Sequence, residues 1–224
     1  MIDIIYLAFN RLEFTKATMQ AMIANTDWSQ VRRLMVYDDG STDGTREYLK
    51  GVQYPVKAEL IFKRFGGPVA IMNDYLSRKP LELFAKVDSD TMLPPHWLGE
   101  CLKVMAANKK LDLLGIEAFF TVASGQVARK YVPARHIGGI GLMRTSCFKT
   151  KPKADGRNGF TGWQHANKQV VKGWLSPSLP VFLLDRMSIE PWAGLSLGYT
   201  QKGWQRKWTS YGDSHQLLWE WWKP

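Results

Sequence analysis

Apolar and polar positions along the first hundred residues fall into two alternating kinds of block. Short β-rich apolar runs occur at Ile2 to Phe9, Val31 to Tyr37, Val56 to Phe62 and Leu83 to Val87. Between them lie stretches with helical spacing: one through Thr18, Met19, Met22 and Ile23, one over Thr42 to Leu49, and one opened by Gly66-Gly67-Pro68. Pro94 and Pro95 forbid continuation of the fourth run as a strand, and Trp97 to Ala107 again reads as helix. Leu111 to Val122 is expected to be strand, and Gly159 to Gly173-Trp174 a helical segment. From Ser188 onward the alternation gives way to a Gly-, Trp- and Lys/Arg-rich stretch. Strands alternating with helices predict an α/β fold built on a doubly wound, mostly parallel sheet, which binds ligands beyond the carboxyl ends of its strands.

Two of those strand ends carry paired carboxylates. The fourth run ends in Asp88-Ser89-Asp90. Residues i and i+2 of an extended segment point the same way, so both carboxylates can face one hard cation with Ser89 turned aside. Oxygen ligands of this kind suit Mg²⁺ or Mn²⁺, which keep positions open for a substrate's phosphates. Taken alone, an Asp-x-Asp is more often a polar turn. Here it is accompanied by Asp38-Asp39-Gly40 at the end of the second run, with Asp43 placed to cap the following helix. The Gly66-Gly67 turn is expected to present free backbone N–H groups and a positive helix end to phosphate, with Arg64 beside it.

Composition divides the chain. Its 224 residues are 45% hydrophobic and 22% charged, values of a globular protein, with net charge +10 and pI about 9.6. Residues 1–124 hold fifteen basic and fifteen acidic side chains, and residues 125–224 hold fifteen against five, so the whole net charge lies in the second half. Eight of the ten tryptophans are there as well. The start, MIDIIYLAFNRLEF, is too polar and too short in its apolar run for a signal peptide or membrane span, and no later run reaches spanning length. Cys101 and Cys147 have neither metal-site spacing nor disulfide-scaffold density. A soluble cytoplasmic protein with reduced thiols is the expectation.

The two strand-to-carboxylate ends, at this spacing, resemble the family 2 glycosyltransferases of GT-A fold over Ile2 to about Phe148. The resemblance implies a nucleoside-diphosphate sugar donor, foremost a UDP-sugar, and Mn²⁺ or Mg²⁺. Asp38 and Asp39 would contact the nucleoside, Asp88 a ribose or the metal, and Asp90 would be the principal metal ligand. Phe9, Asn10 and Arg11 would lie against the nucleotide base, with Ser89 among the donor contacts; Asn10 read alone is simply a helix N-cap. Arg64 would reach the diphosphate, and the Gly-then-Ala-x-x-Asn segment ends at Asn73. Gly138 and Gly139 match a turn lining the donor sugar and acceptor. His215 is the candidate for a further metal ligand. Residues 1–124 would form the nucleotide-sugar-binding half and 125–224 the acceptor-binding half of one GT-A domain.

One departure stands out. The family's acidic pair, which supplies the catalytic base, has no counterpart, because no Asp or Glu lies between Asp155 and Asp185. The base is then His165, whose ordinary pKa of about 6.5 suits the task, or a carboxylate such as Asp155, Asp185 or Glu190. The basic, Trp-rich half points to a polyanionic acceptor, either DNA with modified bases or an anionic glycan. Two rival readings are a non-catalytic nucleic-acid-binding module and a haloacid-dehalogenase-type phosphatase. The phosphatase motif fits poorly, since Met92 stands at its fifth position and three strand-helix units precede it.

Overall fold

The computed structural model describes residues 1–93, 95–116, 130–153, 159–176 and 182–183. Its first half runs β1 (Ile2–Ala8), α1 (Leu12–Asn25), β2 (Val31–Asp38), α2 (Thr45–Gly51), β3 (Ala58–Phe62), α3 (Pro68–Leu76), β4 (Leu83–Asp88), β5 (Thr91–Met92) and α4 (Trp97–Ala107). Then follow β6 (Leu113–Gly115), β7 (Lys130–Pro133), β8 (Gly141–Arg144), α5 (Gly159–Ala166), β9 (Lys172–Ser176) and β10 (Phe182–Leu183). Among the described residues eight strands form one sheet in the order β3-β2-β1-β4-β8-β6-β9-β7, and β10 pairs with β5 apart from it.

β3, β2, β1 and β4 are mutually parallel, as the alternating pattern predicts. β8 runs antiparallel to both β4 and β6, β6 is parallel to β9, and β7 is antiparallel to β9. All seven residues of β1 are buried, because helices cover both faces of the sheet. Ile2, Ile4 and Tyr6 pack with Met19, Met22, Trp97 and Cys101 on one side. Ile5 and Leu7 pack with Tyr37, Ile71, Tyr75, Phe84 and Trp163 on the other. Each large apolar side chain so enclosed contributes about 1.5–3 kcal/mol relative to exposure.

At the amino end of the sheet, buried Asp3 accepts from Arg32 Nε (2.9 Å) and Nη2 (2.7 Å), from Arg33 and from the Tyr75 hydroxyl. This cluster satisfies a carboxylate at the end of the sheet away from the Asp38 and Asp88 strand ends. Cys101 and Cys147 form no disulfide, and burial pushes the Cys147 thiol up to about 12. Among the described residues no helix is long and apolar enough to cross a membrane.

Two expectations are corrected. The strand expected over Leu111 to Val122 spans only Leu113–Gly115 among the described residues. The helix expected to continue to Gly173-Trp174 stops at Ala166, and Lys172–Ser176 is β9 instead. Lys172 Nζ donates to the carbonyls of Gln164, Asn167 and Val170, closing the turn that ends the helix. β9 can then lie beside β6 because Gly115 has no Cβ, whose place would be 2.5 Å from the Trp174 ring.

Candidate active site

The register of the parallel strands aligns their carboxyl ends. Ala8 stands opposite Asp38, and Leu7 opposite Asp88. Beyond these ends the chain leaves a cleft of about 460 Å³, lined by Phe9, Asn10 and Arg11 after β1, Asp39 after β2, Pro68 and Ile71 of α3, and Asp88, Ser89 and Asp90 at β4. Asn10 and Arg11 both take left-handed backbone conformations (φ 53° and 60°), which turn the chain sharply at the cleft floor.

The loops after β1 and β2 are tied to each other. The Asn10 amide donates to Ser41 Oγ at 2.8 Å, and Asn10 Oδ1 accepts from the Thr42 amide at 2.9 Å. Arg11, not Asn10, occupies the N-cap position of α1, and the Leu12 amide is satisfied from the next loop by Asp43 Oδ2 at 2.8 Å. Asp43 also accepts from the Thr45 amide, but Gly44, not Asp43, occupies the N-cap position of α2. Against the penalty of its partial burial, hydrogen bonds from Thr45 and the Leu12 amide hold the Asp43 carboxyl below the usual range.

The two neighbouring carboxylates of β2 have different surroundings. Asp38 is wholly buried, and its oxygens accept from the Ser41 amide (3.1 Å) and from Arg46 Nε (3.3 Å). Asp39 is the one that lines the cleft. Its Oδ1 accepts from the amides of Phe65 and Gly66, the latter at 2.9 Å. The Gly turn before α3 therefore does not offer all its N–H groups to a ligand, because Asp39 has taken two at its start. Among the described residues Oδ2 of Asp39 accepts no hydrogen bond, so it remains for a donor in the cleft.

Both carboxylates of the Asp-x-Asp are ion-paired. Arg11 Nη1 lies 3.3 Å from Asp90 Oδ2, and Lys86 Nζ lies 2.5 Å from Asp88 Oδ1. The Ser89 amide donates to Leu7 O at 2.9 Å and Thr18 Oγ1 donates to Ser89 O at 3.0 Å, which holds the strand end in place. Phe9 is 45% exposed beside the cleft, and the Arg64 guanidinium sits 4.9 Å from its ring centroid. Gly139 comes against Asp88 from the other side, since a Cβ there would lie 3.0 Å from Lys86 Nζ and 3.7 Å from Asp88 Oδ2. Gly138 precedes it in the same turn.

Other expected residues are placed elsewhere. Asn73 does not line the cleft; its Nδ2 donates to Pro152 O at 2.7 Å, pinning the segment that leads to α5. His165, in the last turn of α5, is exposed and outside the cleft lining. Its Nε2 lies 3.3 Å from His136 Nδ1, with the rings edge to face. Partial withdrawal from water, and then the nearness of Arg135, His136 and Lys172, holds its pKa below the ordinary histidine value. Asp155, Asp185, Glu190 and His215 lie outside the described residues. Among those described, no three His, Cys, Asp or Glu side chains converge as a metal cage. Neither Lys86 nor His136 belongs to a motif in the sequence, although a lysine amid Leu83, Phe84, Ala85 and Val87 breaks an otherwise apolar strand.

A mostly parallel sheet with carboxylates gathered at its strand ends, beside a helix opened by a glycine turn, defines an α/β fold of the GT-A type. The model of Glycosyl transferase family 2 matches residues 3–158, and the chain belongs to that family. Among solved structures it is similar to S. aureus TarS 1-349, with 17% identity and a TM-score of 0.60 over 78% of this chain and 57% of that one. The same protein in complex with UDP-GlcNAc matches at 15% identity and a TM-score of 0.61, over 78% of this chain and 55% of that one. The mannosyltransferase PcManGT from Pyrobaculum calidifontis, in complex with GDP-Man and Mn²⁺, matches at 13% identity and a TM-score of 0.57, over 76% and 53%. The chain thus spans little more than half the length of these proteins. A comparison with curated proteins gives no match.

Proposed function

We propose that the protein is a cytoplasmic, metal-dependent glycosyltransferase that moves a sugar from a nucleoside-diphosphate sugar, foremost a UDP-sugar, to a hydroxyl group, with inversion. The observation that carries this reading is the convergence of Asp39, Asp88 and Asp90 on one cleft, with Arg11 at its floor. Reduced Cys101 and Cys147 suit a cytoplasmic setting.

The donor set fits Mn²⁺ or Mg²⁺. Such ions are held by one or two carboxylates together with substrate phosphates, and the cleft supplies two carboxylates on one strand end, with no closed cage among the described residues. When bound at Asp90, the ion would offset charge growing on the departing diphosphate. Asp39 holds the turn before α3 with one oxygen and offers the other to an N–H or O–H of the nucleoside. Phe9, with Arg64 on one face, provides a stacking surface. Arg11, which lines the same cleft beside Asp90, would be within reach of the diphosphate of a bound donor and could pair with it. A panel of sugar nucleotides incubated with Mn²⁺ or Mg²⁺ should reveal slow donor hydrolysis for one of them, suppressed by EDTA; no hydrolysis and no binding of any donor would refute the reading.

His165 is proposed as the base that removes the acceptor proton, with Asp155 as the alternative. A lowered pKa leaves the imidazole neutral at pH 7, so it can accept a proton there. The rate should then fall only as pH drops through a value below about 6.5, when the base becomes protonated. His165→Ala should lower turnover by roughly 10²- to 10⁴-fold, remove that acid limb and preserve donor binding. Full activity in the variant would transfer the role to Asp155, Asp185 or Glu190.

For the acceptor we propose a polyanion, with hydroxylated bases of modified DNA as the specific case and an anionic glycan as the alternative. The support is the net charge of +10 and the eight tryptophans of residues 125–224. DNA affinity should fall steeply with salt, and replacing Lys202, Arg206 and Lys207 should flatten the slope while donor hydrolysis continues. Anisotropy titrations at several salt concentrations measure this; absence of DNA binding at low salt would leave the glycan.

A further inference from the structure

Lys86 lies in the interior of the sheet, between fully buried Ala85 and Val87, and is itself only 4% exposed. Its strand neighbours are Ile5 on one side and Gly141 on the other. An ammonium so far withdrawn from water is tolerated when it is paired, and its carboxylate partner is Asp88 Oδ1 at 2.5 Å. Residues 86 and 88 share one face of β4, so the pairing is built into the strand. Gly139 closes over it, 3.0 Å from Nζ to where a Cβ would stand. Lys86 is therefore fixed by burial, whereas Arg11, the partner of Asp90, stands on a loop lining the cleft.

We infer that Lys86 is a positioning residue that withdraws Asp88 from the metal, leaving Asp90 and the donor's diphosphate to hold the ion. This rests on the metal-dependent reading above and divides its two carboxylates. A divalent ion seated on Asp88 would face a fixed ammonium across a single carboxylate, in surroundings where like charges repel strongly. Asp88, 32% exposed at its side chain, keeps Oδ2 on the Gly139 side, where it can accept a ligand hydroxyl. A consequence is that the ion binds weakly without nucleotide and firmly with it, because the diphosphate replaces the ligand that Lys86 has taken away.

The test is a titration of the full chain with Mn²⁺, following free ion by electron paramagnetic resonance, with and without UDP. In the absence of nucleotide, Lys86→Met should bind Mn²⁺ about tenfold or more tightly than the wild type, since a repelling charge has gone. Adding Asp88→Asn to Lys86→Met should abolish the gain, which assigns it to that carboxylate. Unchanged or weaker Mn²⁺ binding in Lys86→Met, with a normal thermal melt, overturns the inference while leaving the metal-dependent reading intact. If Lys86→Met does not fold, Lys86→Gln carries the same expectation, with the same result against it. A wild-type protein that binds no Mn²⁺ even with UDP overturns the metal-dependent reading and this inference together.

Discussion

Replacing Asp90 by Asn should abolish metal-dependent binding of the sugar nucleotide and leave the fold intact. The carboxamide keeps the shape of the side chain but loses the charge that makes it a ligand for a hard cation. Asp90 is 23% exposed at its side chain, and the carboxamide keeps an oxygen that can still accept from Arg11 Nη1. Calorimetry in Mn²⁺ should show the variant's donor affinity falling to the level the wild type has in EDTA, with little change in Tm. Unchanged affinity in Asp90→Asn would remove the metal site from the account. Asp88→Ala should act less selectively, because it strips Lys86 of its carboxylate and lowers stability by about 3 kcal/mol or less.

Asp39 should separate structure from recognition. Asp39→Ala removes the acceptor for the Phe65 and Gly66 amides, and leaving such groups unsatisfied costs about 1–3 kcal/mol each. The turn before α3 should loosen, and both Tm and donor binding should fall. Asp39→Asn keeps one oxygen for the two amides and replaces the cleft-facing oxygen by an N–H donor. Donor affinity should then fall tenfold or more, about 1.4 kcal/mol, with only a minor change in Tm. A variant that melts normally and binds donor normally would exclude Asp39 from the nucleoside contacts.

How far the sequence carries depends on what kind of interaction fixes each element. β1, β2 and β4 are legible because strands buried on both faces need unbroken apolar runs, and a run of that kind has few other uses. Their parallel arrangement then places Asp39, Asp88 and Asp90 together before any side-chain contact is known. β9 is not legible in the same way, because it depends on Trp174 meeting the bare backbone of Gly115, some sixty residues away. The same holds within the site. Asp38 and Asp39 are identical side chains one residue apart, and what distinguishes them is Arg46 and Ser41 on one side and the Phe65–Gly66 amides on the other. Lys86 left a visible mark as a charge in an apolar strand, but its meaning comes only from the 2.5 Å contact with Asp88. His165 reads as a candidate base from residue type and spacing alone, and its pairing with His136 is a tertiary contact that neither conveys.

The central claim is that the cleft at the ends of β1, β2 and β4 binds a nucleoside-diphosphate sugar through a divalent cation. Calorimetric titration of the wild-type chain with UDP-sugars and GDP-sugars, in Mn²⁺ and again in EDTA, tests it most directly. The account predicts saturable binding of at least one donor in Mn²⁺ and its loss in EDTA. Equal binding in the two conditions, or no binding of any donor in Mn²⁺, would contradict it.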